Sequence, residues 1–257
     1  IEIECKHQQI KPIQNDSISN LLLASFDIEC DSLHGDFPKS TKNFDKLHND
    51  ILEVYQTFIK DNENVSIDIE TKKQFIINCI ENAFQKEVID EYNIDFIETI
   101  NGIPSKKYIY SISNELINAI DKTYLENKNK SNDLLFILNN LENEKGEKLI
   151  CNGDPIIQIG TVFYNCKSKD IERYIQVIKP DEDKENDICD KIEGVIVDEC
   201  ENEIELLNRW NNLINDKNPD IITGYNIFGF DFEYIYSRIE FYKQYSHIFK
   251  KKYPKSN

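Results

Sequence analysis

Residues 21–30 read Leu-Leu-Leu-Ala-Ser-Phe-Asp-Ile-Glu-Cys and join an apolar run to two closely spaced acids. In a β-strand the side chains alternate between faces, so Asp27 and Glu29 point the same way, roughly 6.6 Å apart along the strand. Two like charges on one face of a mostly buried strand repel each other and are costly to desolvate. A divalent cation between them would offset that cost, so the pattern predicts metal chemistry. The alternative is an edge-strand pair that faces water.

A second acidic segment lies about two hundred residues further along the chain, at residues 218–231. Residues 220–223 predict a short buried strand, Gly224 a turn, and the residues from about 230 to 242 a helix. This order places Asp231 at the mouth of the sheet, where ligands gather in α/β folds. Two ordinary roles stay open, because Asp231 complements a helix dipole and Asn226 can hold a turn through its side chain.

The remaining periodicity divides the chain into three parts. Apolar residues recur at helical spacing between residues 39 and 152, whereas strand patterns at 156–164, 173–178 and 194–197 precede a helical pattern at 204–214. We therefore expect an α/β three-layer domain formed by residues 21–38 and 153–257, with a mainly helical insertion at 39–152. Residues 1–20 are expected to be an extended N-terminal approach segment.

Composition bounds the function classes. The net charge is −17, which is unfavourable for phosphate binding, but residues 243–257 hold five lysines and no acid. Seven scattered cysteines and four histidines show no ligand spacing, so we expect neither a disulfide framework nor a zinc site, and an intracellular, reducing compartment. No apolar run reaches the roughly 18 residues of a membrane span, so no membrane partner is predicted.

Taken together, these segments resemble the 3′→5′ proofreading exonuclease domain of family B DNA polymerases, of the eukaryotic delta-like and large-DNA-virus type. The resemblance covers about residues 1–38 and 153–257. Its motifs are Ser25-Phe26-Asp27-Ile28-Glu29-Cys30, His34-Gly35-Asp36-Phe37-Pro38, the segment from Gly153 to Gly160, and Asn218-Pro219-Asp220-Ile221-Ile222-Thr223-Gly224-Tyr225-Asn226-Ile227 through Asp231.

The resemblance implies a ribonuclease-H-like fold and a catalytic site with two divalent cations, Mg²⁺ or Mn²⁺. Asp27 would bridge the two ions, Glu29 would hold the ion that activates water, and Asp231 would serve the second ion. The substrate would be the single-stranded 3′ end of a DNA primer, in a nucleus or a cytoplasmic viral replication factory. Its contacts would be Phe37, Asn226 and Phe230, although scattered phenylalanines more often belong to a core.

The chain departs from this family in two respects. The insertion at 39–152 has no counterpart, so it is either a binding site for a replication-factor partner or a tolerated surface excursion. The third exonuclease motif, Tyr-x-x-x-Asp, is missing because Asp231 is the last aspartate, and the chain begins at Ile1 without any methionine. We therefore expect an exonuclease domain incomplete at its C-terminus, in a fragment of a polymerase that alone is weak or inactive.

Two other functions stay open at this stage. One is a free-standing ribonuclease-H-like exonuclease that acts on RNA or oligonucleotides. The other is a non-catalytic module that binds single strands or docks a partner.

Overall fold

The computed structural model describes residues 4–11, 19–32, 35–63, 66–85, 93–125, 133–179 and 192–252. The chain falls into two compact units, one formed by Ile1–Glu29 and Ile156–Asp231 and the other by Cys30–Pro155 and Phe232–Asn257. The predicted motif residue His34 and residues 180–191 lie outside the described residues. None of the helices within the described ranges has the length and apolarity that a bilayer crossing requires.

The first unit is built on a mixed five-stranded sheet. Its strands are β1 (Leu22–Cys30), β2 (Ile156–Asn165), β3 (Ile171–Ile178), β4 (Ile196–Cys200) and β5 (Ile221–Thr223). The order across the sheet is β4-β3-β2-β1-β5. β2 and β3 are antiparallel, whereas β3 and β4, and β1 and β5, are parallel pairs. A mixed α/β sheet with helices is therefore confirmed.

The described helices are α1 (Asp45–Asp61), α2 (Ile69–Ala83), α3 (Lys106–Leu125), α4 (Asp133–Leu138), α5 (Glu203–Lys217), α6 (Asp231–Gln244) and α7 (Ser246–Lys252). Of these, α5 belongs wholly to the first unit and packs against β2, β3 and β4. Asn202 caps its N-terminus, and the Asn202 side-chain oxygen accepts the backbone N–H of Glu205 at 3.1 Å. This contact satisfies one of the free N–H groups at a helix start.

The core of the first unit explains how β1 is oriented. Along β1, Ala24, Phe26 and Ile28 are buried, while the residues between them are exposed. The Phe26 ring lies 4.9 Å from the ring of Trp210 on α5, measured between centroids. Trp210 donates its indole N–H to the Thr161 hydroxyl at 3.1 Å, so its one polar atom is paired inside the core. The predicted alternation of β1 is confirmed, and it turns Asp27 and Glu29 to the exposed face.

The second unit has its own helical core. α1, α2, α3 and α4 pack on one another around fully buried side chains that include Leu47, Ile51, Ile80 and Leu116. Residues 232–257, with most of α6 and all of α7, also belong to this unit, so the proposed domain of residues 153–257 spans both units. The boundaries of the helical insertion at 39–152 stay a prediction.

Candidate active site

The site begins where β1 extends beyond β5. The two strands pair in parallel, with Leu23 opposite Ile221 and Ser25 opposite Thr223. β5 ends at Thr223, but β1 continues for five more residues. At the start of this pair, the Asp220 carboxylate accepts the backbone N–H of Leu22 at 2.8 Å. Beyond Ser25, no β5 residue lies opposite β1, so the backbone N–H and C=O groups of β1 on that side need other hydrogen-bond partners.

A tight turn at 224–230 leads from β5 to α6. A side-chain carbon on Gly224 would lie 2.7 Å from the Phe26 carbonyl oxygen and 2.3 Å from a methyl carbon of Ile227, so only glycine fits there. Asn226 adopts the left-handed conformation (φ 53°), which asparagine tolerates better than most residues. Its carbonyl accepts the N–H groups of Gly229 at 2.9 Å and Phe230 at 3.1 Å. The turn therefore delivers Asp231 to the first position of α6.

The side chain of Asp231 forms a hydrogen bond with the backbone of β1. Its carboxylate oxygen Oδ1 accepts the backbone N–H of Ile28 at 3.2 Å, and the residue is only 2% exposed. Burial raises the pKa of Asp231, the hydrogen bond from Ile28 opposes that rise, and the nearby charge of Asp27 adds to it. Asp27 and Asp231 are therefore close neighbours, although they lie about two hundred residues apart in the sequence.

The three predicted acids are only partly brought together. Asp27 and Glu29 lie on the exposed face of β1, and Asp231 lies beside Asp27. In the described part of the chain, no three His, Cys, Asp or Glu side chains form a group that could hold a metal ion. The donor chemistry still suits Mg²⁺ or Mn²⁺, because hard cations prefer carboxylate oxygens. The cation site itself stays a proposal.

Sequence comparison agrees with this strand–turn–helix geometry. Residues 140–255 match the family described as "DNA polymerase family B, exonuclease domain". The chain carries a family B DNA polymerase exonuclease domain. The resemblance predicted from the sequence motifs is therefore confirmed.

Relatives of this exonuclease domain are viral and eukaryotic polymerases. The DNA polymerase of Pyramimonas orientalis virus is 32% identical over 93% of this chain and 21% of its own length. The DNA polymerase of Phaeocystis pouchetii virus is 25% identical over 90% of this chain and 27% of its own length. The DNA polymerase delta catalytic subunit of Schizosaccharomyces pombe is 32% identical over 33% of this chain and 7% of its own length. The chain thus spans about a fifth to a quarter of the two viral polymerases.

The contacts predicted at Asn226 and Phe230 stay a prediction, since Asn226 is exposed and Phe230 is half-buried. Two other aromatic residues of the turn, Tyr225 and Phe228, are 93% and 84% exposed. Their position in a glycine-containing turn just before Asp231 is the sequence signal that points to them. The predicted contact Phe37 belongs to the second unit, is 75% exposed and borders a cavity of about 530 Å³ there.

A buried polar network in the second unit was also missed. The Asp154 carboxylate, in a residue that is 2% exposed, pairs with the Lys42 ammonium group and accepts the backbone N–H of Lys39 at 2.8 Å. The Tyr234 hydroxyl donates to the Asp154 carbonyl at 2.9 Å, and burial raises the pKa of that hydroxyl. Asp154 therefore holds the segment that follows Phe37.

Arg238 completes this network from α6. It is fully buried and donates to the Ser40 carbonyl at 3.0 Å, to the Asn152 side-chain oxygen at 3.4 Å and to the Tyr242 hydroxyl at 3.2 Å. Nearby Gly153 has no room for a side chain, since an added carbon would lie 2.1 Å from the Ser40 carbonyl oxygen. The predicted helix pattern contained Arg238, but its burial depends on residues about eighty or more positions earlier.

Proposed function

We propose that this chain is the 3′→5′ proofreading exonuclease part of a DNA-directed DNA polymerase of family B. It would remove mispaired nucleotides from the 3′ end of a DNA primer by phosphodiester hydrolysis with two divalent cations, Mg²⁺ or Mn²⁺. The observation that carries the proposal is the approach of Asp231 to Asp27 at the end of β1, through the Asp231–Ile28 hydrogen bond. The match of residues 140–255 to the exonuclease family supports it.

We further propose that the sheet is ribonuclease-H-like. Strands β3, β2, β1 and β5 are consecutive neighbours, β2 runs antiparallel to β3, and β1 is parallel to β5. The acids lie where β1 passes the carboxyl end of β5, which is the usual location of ligands in open α/β sheets. The three-layer arrangement and a separate helical insertion at 39–152 that binds a replication factor belong to the same proposal.

The chain's own carboxylates have distinct roles in this proposal. Asp27 and Glu29 present oxygen atoms on the exposed face of β1, whereas Asp231 is oriented by the Ile28 N–H. Two bound divalent ions would generate hydroxide and stabilise the attacking and leaving oxygens of an in-line displacement. The juxtaposition of Asp27 and the buried Asp231 is costly without a compensating positive charge. This cost favours cation binding at the pair.

Substrate positioning would come from the turn at 224–230. Tyr225 and Phe228 expose rings on which unpaired bases could stack, and such stacking tolerates any base. Asn226 and Phe230 in the same turn, together with Phe37, are the contacts proposed from the family resemblance. A site that holds an unpaired 3′ end suits proofreading, because mismatched ends fray.

The decisive experiment compares two aspartates that each accept a backbone N–H of β1. Asp231→Asn keeps an oxygen for the Ile28 N–H but removes the charge, and Asp220→Asn makes the same change at the Leu22 N–H. We expect Asp231→Asn, like Asp27→Asn, to weaken Mn²⁺ binding measured by electron paramagnetic resonance at least tenfold. Asp220→Asn should bind Mn²⁺ like the unaltered chain.

Cleavage of a 3′-mispaired, labelled DNA primer is the second measurement. We expect slow or no resection by the isolated 257-residue chain, and any resection should disappear in Asp27→Asn and Asp231→Asn. Equal Mn²⁺ affinity in Asp231→Asn and Asp220→Asn would refute the proposed site. Faster cleavage of RNA than of DNA would favour a free-standing ribonuclease, and single-strand binding without any metal binding would favour a non-catalytic module.

A further inference from the structure

A basic cleft lies within the second unit and contains none of the residues assigned to the candidate active site. Its volume is about 560 Å³, and it is bordered by residues 100–101, a turn at 145–150 and helix α7. The ionisable side chains that line it are Lys145, Glu147, Lys148, His247, Lys251 and Lys252. Four lysines therefore face one acid, in a chain whose net charge is −17.

The lysines of this cleft differ from many others in the protein. Lys72, Lys106 and Lys217, for example, are held in ion pairs with acidic residues. Within the described ranges, the side chains of Lys145, Lys148 and Lys251 form no ion pair. The acid of the cleft, Glu147, accepts the side-chain N–H of Asn143 at 3.0 Å. The lining thus carries an excess of positive charge, and such an excess on a concave surface attracts anions.

The turn that carries Lys145 and Lys148 is held in place by two asparagines. The Asn143 side-chain oxygen accepts the backbone N–H groups of Lys145 at 2.9 Å and of Glu147 at 3.0 Å. Asn101 donates its side-chain N–H to the Lys148 carbonyl at 2.8 Å, and Asn143 donates to the Asn101 carbonyl at 2.7 Å. The backbone beneath both lysines is therefore ordered before any ligand binds.

Helix α7 forms the opposite wall of the cleft, and packing of its Phe249 side chain holds it in place. Phe249 is buried, and its ring lies 4.6 Å from the Tyr242 ring and 5.9 Å from the Phe241 ring, measured between centroids. His247 and Lys251 are four residues apart and so share a face of the helix. Cations near a helix C-terminus also stabilise the helix dipole, but that role gives no reason for lysines on the facing turn.

We propose that this cleft binds the phosphodiester backbone of a nucleic-acid strand. Lysine ammonium groups bind phosphate oxygens as point charges, and several lysines along one cleft match the repeated charges of a phosphodiester backbone. Ile100, Ile150 and Ile248 line the same cleft and offer apolar contacts to sugars and bases. Binding would be independent of sequence and would depend strongly on salt. The proposal does not require an active exonuclease site.

The test measures binding of a fluorescein-labelled oligothymidylate by fluorescence anisotropy, with EDTA present to suppress metal-dependent cleavage. The cleft variant is Lys145→Gln/Lys148→Gln/Lys251→Gln. The matched control, Lys60→Gln/Lys107→Gln/Lys167→Gln, removes three exposed lysines outside the cleft. Circular dichroism of all three proteins checks that they fold.

We expect the cleft variant to bind at least tenfold more weakly, and the control to stay within about twofold of the unaltered chain. Each lost single-strand phosphate contact lowers the slope of log affinity against log salt by about 0.7, so the cleft variant should lose about 2. An unchanged affinity and slope in the cleft variant would overturn the proposal. So would tighter binding of polyglutamate than of the oligonucleotide to the unaltered chain.

Two further comparisons keep the outcome interpretable. If the triple variant does not fold, Lys148→Gln and Lys251→Gln alone should each reduce the salt slope by about 0.7. The cleft variant should bind Mn²⁺ as the unaltered chain does. Loss of oligonucleotide binding with retained Mn²⁺ binding would thus separate the cleft from the proposed exonuclease site.

Discussion

Replacing Arg238 by methionine should destabilise the second unit by about 3–5 kcal/mol. Methionine preserves much of the volume and the contact with the rings of Phe241 and Tyr242, which lie 5.1 and 5.2 Å from the guanidinium carbon. It removes the charge and every donor. The Ser40 carbonyl and the Asn152 side-chain oxygen then lose the donor that pairs with them.

The magnitude follows from the burial of the network. Arg238 is 0% exposed, so water cannot replace the lost hydrogen bonds without a rearrangement. A hydrogen bond that involves a charged group contributes about 1.5–3 kcal/mol, and the longer of the two lost bonds, at 3.4 Å, lies at the lower end of that range. The two bonds together therefore account for about 3–5 kcal/mol. With a urea dependence of about 2 kcal/mol per M, the unfolding midpoint should fall by about 1.5–2.5 M.

The assay is urea unfolding followed by two probes in the same samples. Far-UV circular dichroism reports mainly the helices of the second unit, whereas the fluorescence of Trp210, the single tryptophan, reports the first unit. Arg209→Met is the matched control, because Arg209 is 40% exposed and pairs with Asp198 and Glu205 on the surface. Such pairs contribute about 0–1 kcal/mol.

The expected result is a large shift of the circular dichroism midpoint for Arg238→Met in the second unit and a small shift of the Trp210 fluorescence midpoint for Arg209→Met in the first unit. A shift below about 1 kcal/mol for Arg238→Met, equal to that of the exposed pair, would refute the argument that burial makes this network strong.

The remaining predictions concern a glycine and a thiol. Gly224→Ala should destabilise the first unit by about 1–3 kcal/mol, because its side-chain carbon would contact backbone at 2.7 Å. Gly160→Ala, where nothing lies within 4 Å, is the control, and comparable unfolding midpoints by Trp210 fluorescence would contradict the prediction. Burial raises the pKa of Cys79 from its usual 9.0 to about 12, so stability should decline as pH rises from about 9 towards 12, when the unfolded thiol ionises first. In the native protein iodoacetamide should modify exposed Cys5 well before Cys79, as mass spectrometry can check, and equal rates would contradict this expectation.

Local patterns predicted much of the first unit. The alternation of β1 and the apolar strand, glycine turn and helix around Asp231 are short-range signals, and each appears in the structure within a residue or two. The strand predicted at 194–197 was displaced to 196–200, because Gly194 adopts a left-handed conformation (φ 73°) that ends a turn before the strand begins. Helix α4 ends at Leu138, before the turn organised by Asn143.

Features set by distant residues escaped prediction. The sequence pattern predicts no helix within the lysine-rich residues 243–257, yet α7 forms there because Phe249 is buried against aromatic residues of α6. Arg238 has the sequence signature of a solvent-facing helix residue, and only contacts with Ser40 and Asn152 reveal its burial. The proximity of Asp231 to Asp27 was expected from family resemblance, whereas its hydrogen bond to the Ile28 backbone was not.

Asp220 accepts the backbone N–H of Leu22 and Asp231 accepts that of Ile28, so both ends of the segment 220–231 are hydrogen-bonded to β1. An insertion or deletion between these two aspartates would shift one of them away from its N–H group, so the length of this segment is constrained. The side chains of Tyr225 and Phe228 are exposed, so this constraint on length does not determine which side chains stand at those two positions. Under the proposed function, substitutions at those two positions would change the contacts with a DNA end without changing the spacing of the acids.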